Sequence, residues 1–167
     1  SVDYFQKIES DEGAKGEAVA VIDASAARVL ADLWCLDSYE YKTKHVEEEG
    51  VKALRRIMFI PDSHSMLHFF LLPLSLGVKD RIFTIWNTWE TDGKGGFVLA
   101  FGPMESYPDK ARVNAMRALV RGDARATGAT RGTASGVWRI KYISANVCEL
   151  SYTVQASLGG ESSNSDR

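Results

Sequence analysis

The chain has 167 residues, 45% of them apolar and 25% charged, with a formal net charge of −2. That length makes one domain with a core of its own. The near-neutral balance excludes a general electrostatic pull toward nucleic acid or anionic membrane. The two cysteines, Cys35 and Cys148, form neither a CxxC pair nor a zinc spacing with the three histidines, so no metal or cofactor is expected and no nucleic-acid partner. A reduced, cytoplasmic setting follows, with a Cys35–Cys148 disulfide as the alternative. The first residues lack the apolar core of a signal peptide, and the strongest apolar run, residues 66–76, is too short to span a bilayer. A first residue of Ser suggests a fragment of a larger intracellular protein.

In chain order, residues 9–15 read as a polar turn between two short strand-like pieces, and residues 16–22 as a strand. A helix begins near Ser25, capped by Asp23 or Ser25, with Val29, Leu30, Leu33 and Trp34 on one stripe at helical spacing. Residues 41–48, 54–60 and 66–72 are of strand length. Residues 81–90 lead through Asp92-Gly93-Lys94-Gly95-Gly96 into 97–101, a hairpin signal. A second helix is expected over about 108–118, with Pro108 in its first turn. Residues 138–143 and 147–157 form another hairpin across 144–146, and the tail from Gly159 reads as a loop or frayed end.

Alternation identifies the buried faces. Trp138, Ile140 and Tyr142 share one face against Arg139 and Lys141. Cys148, Leu150, Tyr152 and Val154 alternate with Glu149, Ser151, Thr153 and Gln155. Such one-sided strands belong to a curved antiparallel sheet whose apolar face must be covered by another sheet, a long helix or a ligand.

Four ordered segments resemble the START family, the StAR-related lipid-transfer domains. They are the strand into a capped helix over 16–25; Leu72-Pro73-Leu74-Ser75 leading to Arg81-Ile82-Phe83; Val120-Arg121-Gly122; and Gly136-Val137-Trp138-Arg139-Ile140 followed by Cys148-Glu149-Leu150-Ser151-Tyr152-Thr153 and Gly159-Gly160. The resemblance spans nearly the whole chain. It implies an α+β helix-grip fold, a curved antiparallel sheet around a C-terminal helix that is truncated or missing here, since seven polar residues follow Gly160. On this view residues 1–160 are the lipid-binding domain and 161–167 a polar tail. The implied ligand is a lipid of the sterol, phospholipid or ceramide class, taken up in transient contact with a membrane surface. Beside the missing helix, there are two further departures from the family pattern. Ile82 stands where the family has Asp, and the positions of the acid–base pair found inside some sterol carriers hold His68 and Asn87.

Strand parity then nominates the cavity lining. Met66, Phe70 and Leu72 accompany His68, while Phe83, Ile85 and Trp89 accompany Asn87. From the last hairpin come Trp138, Ile140, Tyr142, Leu150 and Tyr152. A mostly apolar set with a few polar groups suits an internal lipid site, with His68 and Asn87 orienting the ligand; the alternative is that backbone or water satisfies both. Arg112, Arg117, Arg121, Arg125 and Arg131 make a locally basic stretch, suited to anionic head groups or simply a solvated face. His64 and His68, four residues apart on a strand, cannot share one metal, and Asp62-Ser63-His64 is local sequence with no catalytic arrangement implied. The expected function is therefore lipid carriage or lipid sensing without catalysis. The alternatives are a helix-grip cyclase or hydrolase acting on a hydrophobic substrate, with His68 as its acid or base, and a regulatory module whose filled interior serves partner contact.

Overall fold

The computed structural model describes residues 2–10, 13–35, 54–74, 78–123 and 128–159. Eight strands and two helices fall within them: β1 (Val2–Ser10), β2 (Gly13–Ile22), α1 (Ala26–Trp34), β3 (Leu54–Asp62), β4 (Ser65–Leu72), β5 (Arg81–Thr91), β6 (Phe97–Pro103), a 3-10 turn (Met104–Ser106), α2 (Lys110–Gly122), β7 (Thr130–Ser144) and β8 (Val147–Ser157). The expected strand over 41–48, Arg125 of the basic stretch and the tail from 160 lie outside the described residues. Among the described residues no helix follows β8, and none is long and apolar enough to cross a membrane.

The strands form one curved sheet in the order β1-β2-β8-β7-β6-β5-β4-β3, with neighbours antiparallel. One parallel contact departs from this. β6 has seven residues and covers only the far part of β5, from Ile85 to Thr91, so the start of β7 reaches the start of β5 directly (Arg81 to Thr130, Phe83 to Gly132).

Local chemistry accounts for the joints. The β5–β6 turn is held by Asp92, whose Oδ1 accepts from the backbone N–H of Lys94 (2.7 Å) and of Gly96 (2.9 Å), while Gly93 and Gly95 take the positive φ values the turn requires. Ser25, not Asp23, caps α1, its hydroxyl accepting from the Arg28 N–H at 3.2 Å. The second helix starts later than the sequence suggests. Asp109 is its N-cap, accepting from Arg112 N–H, and Pro108 precedes the cap instead of occupying the first turn. β7 begins at Thr130, eight residues before the expected start, and β1 and β2 both run on into the polar segment expected as a turn, pairing as far as Ser10 and Gly13.

The two helices lie on opposite faces of the sheet. α1 lays Ala26, Val29 and Leu30 on the inner face against Leu99, Ile140 and Cys148. α2 lays Val113, Met116 and Val120 on the outer face of β4 and β5 against Leu67, Phe69, Leu71 and Ile82. β4 is therefore buried on both sides. Its odd residues face α2, and its even residues face inward.

Candidate functional site

Register across the sheet assembles the inner face row by row. Trp89, Leu99, Trp138, Tyr152 and Ala18 lie side by side on consecutive strands, and so do Met66, Asn87, Phe101, Gly136, Val154 and Gly16. Further along, Phe70 pairs with Phe83 and Phe83 with Gly132, while Ala134 pairs with Ala156. Bulky side chains on β4, β5 and β6 thus face glycine and alanine on β7, β8 and β2. Where a ring and a glycine meet, the ring lies on the bare backbone. A Cβ on Gly132 would sit 2.5 Å from the Phe83 ring, and one on Gly136 would sit 2.6 Å from that of Phe101.

Small residues on one side, with no helix of the described residues over this part of the sheet, leave a cavity of about 470 Å³ between α1 and the end of β8, inside the roughly 300–1,000 Å³ range of small-molecule sites. β4 contributes His68, Phe70 and Leu72 to its lining, and β5 contributes Phe83, Ile85 and Asn87. β6 adds Leu99 and Phe101, β7 adds Ala134 and Trp138, and β8 adds Tyr152, Val154 and Ala156. Asp32 and Leu33 of α1 and the half-exposed Leu158 complete it.

The aromatic lining is stacked. Tyr152 lies on Trp138 with centroids 3.7 Å apart and planes 16° apart, and Phe70 lies on Phe83 at 4.8 Å and 12°. His68 continues the second stack at 6.3 Å from Phe70. Ring-on-ring contacts of this kind add to what burial of the rings contributes. Two polar side chains sit among the hydrocarbon. His68 is 3% exposed and Asn87 6% exposed, and the Asn87 Oδ1 has no hydrogen-bond partner among the described residues. Asp32, at the rim, is ion-paired with Arg28 of the same helix at 3.1 Å, both side chains being solvated.

Of the thirteen lining residues read from the sequence, the structure brings eight to the cavity: His68, Phe70, Leu72, Phe83, Ile85, Asn87, Trp138 and Tyr152. Five are not there. Ile140 and Leu150 are on the inner face but lie under α1, in the cluster of Leu30 and Cys148. Trp89 packs into the same cluster, edge-on to Phe97, and its indole N–H donates to the Ser63 carbonyl at 3.1 Å. Tyr142 lies past the helix, 47% exposed, over Gly95, and Met66 is 1% exposed and outside the lining. Parity fixes the face of a side chain but not how far a helix covers that face.

The remaining sequence features also find places. His64 sits in the β3–β4 turn and not on a strand, its N–H donating to Asp62 Oδ1 at 2.7 Å and its ring lying 4.2 Å from that of Trp89. In the basic stretch, Glu105 takes both Arg117 (3.4 Å) and Arg131 (2.7 Å), and Asp109 takes Arg112 (3.0 Å). Three of the five arginines thus face carboxylates, two of them sharing Glu105. Cys35 and Cys148 are both free thiols, Cys148 fully buried beside α1, where burial pushes its pKa up.

No protein-family model matches the sequence, and no curated protein matches it. Solved structures do. The human StarD13 (DLC2) lipid transfer and protein localization domain superposes over 95% of this chain and 77% of its own, with a TM-score of 0.61 at 14% identity. Human StAR-related lipid transfer protein 5 covers 96% of this chain and 75% of its own, at 0.63 and 10% identity. A fragment of a STAR-related lipid transfer protein from Xanthomonas axonopodis covers 95% and 84%, at 0.61 and 15% identity. The fold is START-like. The curved sheet and the order of its elements, expected from the four ordered sequence segments, are those of START domains, at an identity where the architecture is shared and side chains are not.

Proposed function

We propose that this START-like domain binds one lipid-like molecule in the cavity, as a carrier or sensor, without turning it over. The observation that carries the reading is the hollow itself: about 470 Å³ walled by Phe70, Phe83, Phe101, Trp138 and Leu99, with the buried Asn87 Oδ1 still open to a donor. A site left dry and apolar gains from any hydrocarbon that enters, by roughly 0.8 kcal/mol for each CH₂ removed from water. A polar group on the same ligand fixes its orientation.

Binding without turnover is supported by the pair of positions that carries acid and base in some sterol carriers. Here the second of them is Asn87, an amide that does not exchange protons near neutral pH. The similar structures are of lipid transfer proteins, which supports the same reading for the ligand class. Lipid would load from a membrane surface through the side bordered by Leu33 and Leu158.

Mass spectrometry of small molecules extracted from the intact purified protein, before and after incubation with mixed-lipid vesicles, tests this. One lipid retained per chain is expected. A protein that carries none as purified and takes up none from vesicles would sink the reading, and conversion of the bound lipid into a product would replace it with an enzyme.

A further inference from the structure

Polar groups are unevenly distributed around the cavity. Asn87, Asp32 and Tyr152 lie on the half beneath α1, with His68 next to them on β4. Toward Leu158 the walls are Phe70, Leu72, Phe83, Ala134 and Ala156. A ligand with one polar end therefore has one favourable orientation, head beneath α1 and hydrocarbon toward the end of β8.

The chemistry of that head is restricted by what surrounds it. No lysine or arginine is among the described residues lining the cavity. Arg81 shares the inner face of β5, two residues before Phe83, but stands outside the lining and donates to the Lys79 carbonyl. The fixed charge at the rim is the carboxylate of Asp32. An ionised carboxylate or phosphate drawn in beside Asn87 would lose its hydration and meet no lysine or arginine among the described residues lining the cavity, which is the costly case for a buried ion. An uncharged hydroxyl or amide loses far less. It finds in Asn87 a side chain that both donates through its NH₂ and accepts through Oδ1, the atom now lacking a partner.

We infer that the cavity selects an uncharged amphiphile, a long-chain or polycyclic molecule with a hydroxyl or amide head held at Asn87, and rejects the ionised acid or phosphate of the same hydrocarbon. The inference rests on the cavity being a ligand site, and it adds the head-group class.

The test is a head-group series on one hydrocarbon: a long-chain alcohol, the primary amide and the carboxylate of equal length. Each displaces the neutral probe N-phenylnaphthylamine from the full chain, at a pH where the acid is ionised. The alcohol and amide are expected to bind about tenfold or more tighter than the carboxylate, the scale of a buried group left unpaired. In Asn87→Leu that preference is expected to shrink to about threefold or less, by weaker binding of alcohol and amide, with the carboxylate unchanged. A carboxylate that binds as tightly as the alcohol in the unmodified protein overturns the inference, whatever the fate of the variant. So does an alcohol preference that survives intact in a folded Asn87→Leu. If probe and all three ligands fail to bind, the cavity is not a ligand site and the reading beneath falls as well, an outcome distinct from equal binding of all three.

Discussion

The two faces of β4 and β5 are built from similar residues and are covered differently. On the outer face Leu67, Phe69, Leu71 and Ile82 meet Met104, Val113, Met116 and Val120, and none of these is more than 8% exposed. On the inner face Phe83 and Ile85 are just as buried, at 3% and 2% exposed, but they pack with Phe70, Leu72, Ala134 and Ala156 in a smaller cluster that borders the cavity. Composition of the strands does not make this difference; what lies across from them does. α2 and the 3-10 turn bring methionine and valine to the outer face, locked down by Trp86 donating to Ser106 Oγ at 2.7 Å and by Glu105 bridging Arg117 and Arg131. The inner face meets Gly132, Ala134, Gly136 and Ala156, and α1 covers only the part around Leu99, Ile140 and Cys148. The outer face is thus closed by α2, while the inner face is closed only in part by α1 and borders the cavity.

The largest effect should come from emptying the solid side. Phe69→Ala removes a fully buried ring from a close-packed cluster, and a loss of about 3–5 kcal/mol is expected in denaturant unfolding. Gly132→Ala comes next. Its Cβ would meet the Phe83 ring at 2.5 Å and drive that ring into the cavity, so a loss of about 1–3 kcal/mol is expected together with weaker ligand binding. Ser25→Ala removes the cap of the helix that partly roofs the cavity, for about 1 kcal/mol. The smallest stability change belongs to the hollow side. Ala134→Leu extends into empty space, and a change within about 1 kcal/mol is expected alongside a loss of ligand binding of about tenfold or more. If Ala134→Leu destabilised as much as Phe69→Ala, the inner face would be as solid as the outer one.

A chemical readout sharpens the comparison further. Cys35 is exposed, whereas Cys148 is buried under α1 with its thiol pKa raised by desolvation. A thiol held in its neutral form reacts slowly. A thiol reagent is therefore expected to modify Cys35 at once and Cys148 only on the timescale at which α1 lifts from the sheet. Equal rates for the two would place Cys148 at the surface.

Much of this was legible in the sequence because the strong signals are local. Alternation located the inner face of β7 and β8, Asp92-Gly93 marked the hairpin, and the stripe of Val29, Leu30, Leu33 and Trp34 marked the face of α1. What was not legible is the part that makes the hollow. Gly132, Thr133, Ala134, Ser135 and Gly136 carry almost no strand signal, so the first half of β7 and its place opposite Phe83 and Phe101 were missed, and Ala134 and Ala156 with it. Extending the alternation of Trp138 backward and of Tyr152 forward by two steps would have found both. Asp32, Leu33, Leu99 and Leu158 needed the tertiary placement of α1 and of the end of β8, which no local pattern encodes. The same gap put Ile140 and Leu150 in the lining when a helix covers them.

Methyl-resolved NMR during lipid titration tests the contrast between the two faces most directly. Ligand is expected to shift the methyls of Leu99, Ile85 and Val154 on the hollow side and leave those of Leu67, Val113 and Met116 in place. Shifts confined to the α2 side, or none anywhere at saturating lipid, would contradict the account.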